Sequence, residues 1–169
     1  MGDHTDRASR TRTYDWPEPG GSATPGTTSY SGPEALQRVL DGELHISPGA
    51  HTLGLRLTSF AEGEAVLTAR PDEWACNSGG TVHGGIVSGW VDSTLGYATA
   101  SAVGEGVGYS TLDLTVRYLR ALRLEHTPVT LRGVVRHCGR STAVVDVEVR
   151  DSRDALCATG SGAMMLFRP

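Results

Sequence analysis

The chain has 169 residues, enough for one domain that buries a core without disulfides or a structural metal. Its 19 acidic and 15 basic residues are mixed along the chain and leave a net charge of −4, which argues against a nucleic-acid-binding stripe and against an acidic tail. No apolar run reaches the roughly 18 residues of a membrane span, and the polar start MGDHTDRASRTRTYDWPEPGG lacks the apolar core of a secretory signal.

Residues 1–30 are rich in Gly, Pro, Ser, Thr and charge. They carry too little apolar surface to offset the entropy of ordering, so a disordered or flexible extension is expected there, with the folded domain at 31–169. Ser31 to Leu44 reads as a short helix: a Ser31 or Gly32 cap, Pro33 in the first turn, Leu36, Val39 and Leu40 on one face, and Asp41-Gly42 as the stop. His51–Phe60 alternates Leu53, Leu55 and Leu57 with polar residues and predicts a strand. Glu64–Arg70 predicts its hairpin partner across the turn Ala61-Glu62-Gly63.

The central stretch, Cys76 to Val103, opens as a Gly-rich turn and continues with helical spacing of Ile86, Val87, Trp90, Val91, Leu95 and Ala98. Its glycines and threonines are poor helix formers, so the helix needs close neighbours, and its small residues are expected to let strands approach it. Beyond Gly106 the period becomes two: Leu112, Leu114, Val116 and Tyr118 on one face, opposite Thr111, Asp113, Thr115 and Arg117. Val129–His137, Ala143–Val149 and Ala155–Phe167 continue the strands. A short helix, two strands, a long helix and four strands describe an α+β fold with a largely antiparallel sheet.

Chemistry concentrates in the central stretch. Gly84 and Gly85 fall where the helix begins, where unpaired N–H groups and the helix dipole suit an oxygen gaining negative charge; a plain tight loop is the competing reading. Asp92 is an acid within a neutral helix, either a functional carboxylate or a solvated one. Asn77 is placed to hold a water or a carbonyl, or simply to form a turn. His83 orients the loop or donates to a substrate, and Thr111 positions a water or Asp92, or only favours the strand. Eight helical residues separate Gly84 from Asp92, about 12 Å of rise. One chain cannot bring both to the same reacting carbon, so a shared site requires two antiparallel helices in a two-fold dimer. Trp74, Trp90 and Tyr97 are candidates to line an acyl pocket, core packing being the stronger reading for Trp90. Arg120, Arg123, Arg136 and Arg140 are candidates for phosphate contacts or ordinary surface residues. The histidines show no metal-ligand spacing, and no cofactor motif is present. Cys76, Cys138 and Cys157 form no CxxC pair, which fits free thiols and a cytoplasmic location.

Asn77-Ser78-Gly79-Gly80-Thr81-Val82-His83-Gly84-Gly85, then Asp92, then Tyr109-Ser110-Thr111-Leu112-Asp113-Leu114 and Arg117-Tyr118-Leu119-Arg120, together resemble the hotdog-fold acyl-CoA thioesterases of the phenylacetyl-CoA thioesterase (PaaI-like) group. The likeness covers about residues 33–167. It implies an antiparallel sheet wrapped around one long helix, and a homodimer commonly paired into a homotetramer. It implies an acyl-CoA or acyl carrier protein thioester as substrate, with Asp92 as general base or nucleophile. By the same resemblance Gly84 is the oxyanion donor, Asn77 holds the thioester carbonyl or water, His83 is the motif histidine and Thr111 helps to place the water. Gly85, Arg120, Arg140 and Trp74 are the expected substrate contacts. Ser78 stands where the motif often has Pro, and Ala121 follows Arg120 where Pro is usual. Two other readings accompany this one: a hotdog enoyl-thioester hydratase or dehydratase, and a non-catalytic acyl-CoA-binding domain.

Overall fold

The structure, a computed structural model, describes residues 10–16 and 30–168; most of the extension expected at 1–30 lies outside them. Helix α1 (Gly32–Leu40) starts at a Ser31 cap whose hydroxyl accepts from Glu34 N–H, and Asp41 ends it. Helix α2 (Pro48–Thr52) is a single turn capped by Ser47. Strands β1 (Leu55–Ala61) and β2 (Glu64–Ala69) form a hairpin. A 3₁₀ turn at Glu73–Ala75 leads to α3 (Gly84–Ala100). After it come β3 (Gly108–Tyr118), a second 3₁₀ turn at Leu124–His126, β4 (Val129–Cys138), β5 (Thr142–Arg150) and β6 (Leu156–Phe167).

The six strands make one antiparallel sheet in the order β1-β2-β4-β5-β6-β3, curled around α3. This is the hotdog arrangement, α+β, that the resemblance implied. Trp90, Val91, Leu95 and Ala98 of α3 are fully buried against Leu67, Leu131, Val145 and Val147 of the sheet. Trp90 is a core residue, and its indole N–H donates to Leu53 O at 2.8 Å, as a buried indole requires. Thr94 is also buried; its hydroxyl bonds back to Trp90 O at 2.8 Å, which removes the cost of an unpaired polar group.

Three sequence expectations change. The strand expected over His51–Phe60 begins only at Leu55, because the Ser47-Pro48 start signal carries α2 through Thr52 and Gly54 turns the chain at φ 72°. The close helix–sheet approach, expected from the small residues of the helix, depends on glycines of the strands as well. A Cβ at Gly160 would meet Val91 at 2.3 Å, and one at Gly162 would meet Leu95 at 2.6 Å. The helix's own Gly89 and Gly96 face Leu53 and Tyr109.

The third change is in β3. Its register with β6 shifts between Thr111 and Asp113, a bulge that reverses the alternation. Tyr109 and Thr111 therefore face α3 together with Leu114, Val116 and Tyr118, and Leu112 is turned outward at 50 % exposure. Strict alternation had placed Thr111 on the opposite face from Leu114.

Candidate active site

The site is organised by β3 running beside α3 in the opposite sense. Tyr109 lies against Gly96, Thr111 against Asp92, and Tyr118 against Gly84. Each pairing brings a side chain of the edge strand to the helix.

At the N-terminus of α3, His83 is the cap. Its Nδ1 accepts from Gly85 N–H at 2.9 Å, which orients the loop and satisfies one of the orphan donors of the first turn. His83 O accepts from both Ile86 N–H and Val87 N–H, at 3.0 and 3.2 Å. Those bonds polarise the His83–Gly84 peptide, whose own N–H has no acceptor among the described residues. Gly84 N–H is thus a free, polarised donor at a helix N-terminus. Gly84 O accepts from the Tyr118 hydroxyl at 2.9 Å, and that hydroxyl also lies 2.6 Å from Ser88 Oγ. Tyr118 was not among the residues expected at the site; the signal available was its place at the end of the alternating run.

Asn77 is exposed, and its amide is engaged in its own turn. Its Oδ1 accepts from Gly79 N–H at 2.9 Å and Thr81 N–H at 3.3 Å, and its Nδ2 donates to Thr81 Oγ1 at 3.0 Å. Gly84, Asn77, Tyr118 and Arg120 border a cavity of about 330 Å³ floored by Val87, Cys157 and Ala158.

Asp92 is half-buried two turns further along α3. Thr111 Oγ1 donates to its Oδ1 at 2.8 Å, and Oδ2 has no hydrogen-bond partner among the described residues. These two residues edge a second cavity, of about 320 Å³, which Tyr97, Tyr109, Gly96 and Ala100 line. Burial pushes the Tyr97 phenol up to about 12, and burial, with Tyr97 nearby, raises Tyr109 as well, so both stay neutral donors at ordinary pH.

The expected site residues therefore separate into two groups. Gly84, Asn77 and Arg120 share one cavity, Asp92 and Thr111 the other, and neither cavity contains both Gly84 and Asp92. Gly85 is exposed at the helix start, its N–H held by His83. Four of the expected residues line neither cavity: His83 and Gly85, which bond to each other at the helix cap, and Trp74 and Arg140. Trp74 is covered by the Arg12 guanidinium, 3.5 Å from its ring, and Arg12 in turn donates to Thr52 O at 3.0 Å. Arg140 lies at the β4–β5 turn, where its carbonyl accepts from Arg168. Among the described residues no three His, Cys, Asp or Glu side chains are grouped to hold a metal ion, and no helix is long and apolar enough to cross a membrane.

Comparison with known proteins places the chain in a family. The thioesterase superfamily matches residues 79–158, the segment that runs from the turn before α3 into β6. A protein of Sulfurisphaera tokodaii described only as a candidate esterase is 33% identical over 69% of this chain and 84% of its own length. The acyl-coenzyme A thioesterase PaaI of Escherichia coli is 29% identical over 67% of this chain and 78% of its own. The solved structure of that PaaI protein superposes with a TM-score of 0.63 at 27% identity, over 69% of this chain and 86% of that one. The smu.793 protein of Streptococcus mutans, solved bound to acetyl CoA, superposes with a TM-score of 0.62 at 26% identity, over 68% and 91%.

Proposed function

The chain belongs to the thioesterase superfamily, in its PaaI-like group, and is a thioester hydrolase; from that premise we propose that it cleaves acyl-CoA to the free acid and CoA at a site completed only by two copies of the chain. The observation that carries this reading is the separation of Gly84 and Asp92 into different cavities of one chain. Each cavity holds half of what the reaction needs. Gly84 supplies a donor for the thioester oxygen, and Asp92 supplies a carboxylate to drive attack on the carbonyl carbon.

An antiparallel two-fold pairing of α3 brings Gly84 of one copy to Asp92 of the other and forms two identical sites. The edge strand supports such a pairing. Strand β3 is 11 residues long and, among the described residues, pairs only with β6, and Tyr118 and Leu112 are more than half and about half exposed. An unprotected edge of that length is a template for another strand. Since β3 lies alongside the reactive face of α3, joining two β3 edges sets two α3 helices side by side.

In the reaction the acyl carbonyl oxygen accepts from Gly84 N–H of one copy. Asp92 of the other takes the proton of a water that adds to the carbonyl carbon, or adds to it directly and is released by water afterwards. The carbon–sulfur bond breaks, the thiolate of CoA leaves, and a proton returns it to the thiol. Thr111 fixes the Asp92 carboxylate for this step. Arg120, exposed at the rim of the Gly84 cavity, is the arginine in position to meet a phosphate of CoA. Release of free thiol from a panel of acyl-CoAs tests the proposal. Asp92→Asn is expected to lower kcat by about a hundredfold or more, and a variant as active as the wild type would remove the mechanism.

A further inference from the structure

Asp92 and Gly84 each take a hydrogen bond from a side chain of β3. Thr111 Oγ1 donates to the Asp92 carboxylate at 2.8 Å, and the Tyr118 hydroxyl donates to Gly84 O at 2.9 Å. Tyr118 is 55 % exposed, so solvent alone could satisfy its hydroxyl. The hydroxyl is nevertheless engaged twice, with Gly84 O and, at 2.6 Å, with Ser88 Oγ. A phenol has one proton. With that proton on Gly84 O, the Ser88 proton fills the short contact, and a chain of donors runs from Ser88 through Tyr118 to Gly84 O.

Gly84 needs such a hold. It is the first residue of α3, where helices fray, and glycine is the residue freest to turn. The peptide that carries its N–H is fixed where His83 O accepts from Ile86 and Val87 N–H. The next peptide is fixed at both ends: Tyr118 donates to Gly84 O, and Gly85 N–H donates to His83 Nδ1. A donor on Gly84 O polarises that peptide and strengthens the Gly85 bond to His83. Both peptide planes that meet at Gly84 Cα are then set, and with them the direction of Gly84 N–H. The ring packs directly on this glycine: a Cβ there would stand 3.2 Å from Tyr118 Cζ.

We propose that Tyr118 is a positioning residue for the hydrolysis: its bond to Gly84 O, backed by Ser88, keeps Gly84 N–H aimed at the thioester oxygen. The proposal rests on the reading of Gly84 as the oxyanion donor. Strand β3 then sets both halves of the chemistry, Asp92 through Thr111 and Gly84 through Tyr118.

Tyr118→Phe keeps the ring over Gly84 and removes the hydroxyl. On a turned-over acyl-CoA it is expected to lower kcat by about tenfold and to leave KM within about twofold of the wild type. Ser88→Ala is expected to lower kcat by about threefold. It should add nothing in the Tyr118→Phe background, because the two hydroxyls act in one chain of bonds. A tyrosine that only lined the rim of the cavity would raise KM and spare kcat. One that only braced the fold would lower the melting temperature and spare kcat. Either result overturns the proposal, as do fully independent effects of Ser88→Ala and Tyr118→Phe. Unchanged kcat in Tyr118→Phe beside an inactive Gly84→Pro protein would remove the role of Tyr118 and leave Gly84 as the donor. Wild-type kcat in Gly84→Pro would remove both.

Discussion

The Thr111 hydroxyl donates to Asp92 Oδ1 at 2.8 Å, and it reaches the helix because β3 bulges immediately after Thr111. The bulge turns Leu112 out to solvent and keeps Thr111 on the same face as Leu114 and Val116. It re-aims one side chain at the carboxylate, a use to which bulges next to active sites are put.

Thr111→Val keeps the shape of the side chain and removes the donor. Asp92 would then rotate among several orientations. The expected result is a loss of about tenfold in kcat, equivalent to about 1.4 kcal/mol of barrier, with little change in KM. Steady-state kinetics on a turned-over acyl-CoA measures it. Thr111→Ser, which restores the donor, should recover most of the loss.

Gly84→Pro isolates the proposed oxyanion donor. Proline fits the first position of a helix, and His83 before it is already extended at ψ 136°, as a residue preceding proline prefers. The change removes the N–H and little else, although the Tyr118 ring, 3.2 Å from a Cβ at this position, must move slightly. The expected effect is a fall in kcat of about 10² to 10³ with the fold retained by circular dichroism. Normal kcat would mean that another donor holds the oxygen.

Asp151 makes the domain acid-sensitive. It is buried in the β5–β6 turn, and its carboxylate accepts from Arg153 N–H at 2.9 Å, Ala155 N–H at 3.0 Å and the Arg153 guanidinium. The Arg153 side chain and those backbone donors, working against burial, hold its carboxyl down at about 2, from an ordinary 3.8. A group with a depressed folded-state pKa binds its proton more readily when unfolded. Its stabilisation is therefore complete above about 4 and is lost as pH falls from there through about 2. Thermal melts of the wild type and Asp151→Asn across this range are expected to differ most above pH 4 and to converge toward pH 2.

Much of the fold was legible in the sequence because its periodicities are local. The four-residue spacing from Ile86 to Ala98 marks α3, and the two-residue spacing of Val145, Val147 and Val149 marks β5. Helix α2 was missed because Leu53, Leu55 and Leu57 alternate across its end and the Ser47 cap with Pro48 was not read as a start. The strand order and the β3 bulge depend on long-range pairing, which a strand's own alternation does not encode. The two halves of the proposed site, Gly84 and Asp92, were singled out as glycine at a helix start and an acid inside a neutral helix. Tyr118 and Tyr109 could not be found this way, because only the placement of β3 beside α3 brings them in, whereas Tyr97, named from the sequence as a pocket candidate, does line the cavity beside Asp92. Trp74 was assigned to substrate on residue type alone, and in the fold its ring lies under Arg12.

The central claim is that each site draws Gly84 from one copy and Asp92 from the other, and mixing two inactive proteins tests it most directly. Asp92→Asn and Gly84→Pro, unfolded together and refolded as an equal mixture, form mixed dimers in which one site unites the intact Gly84 of the first with the intact Asp92 of the second. Random pairing makes half the dimers mixed, each with one intact site of two, so about one quarter of wild-type activity is expected to return. A mixture as inactive as either protein alone, with mixed dimers shown to be present by mass, would contradict the shared site.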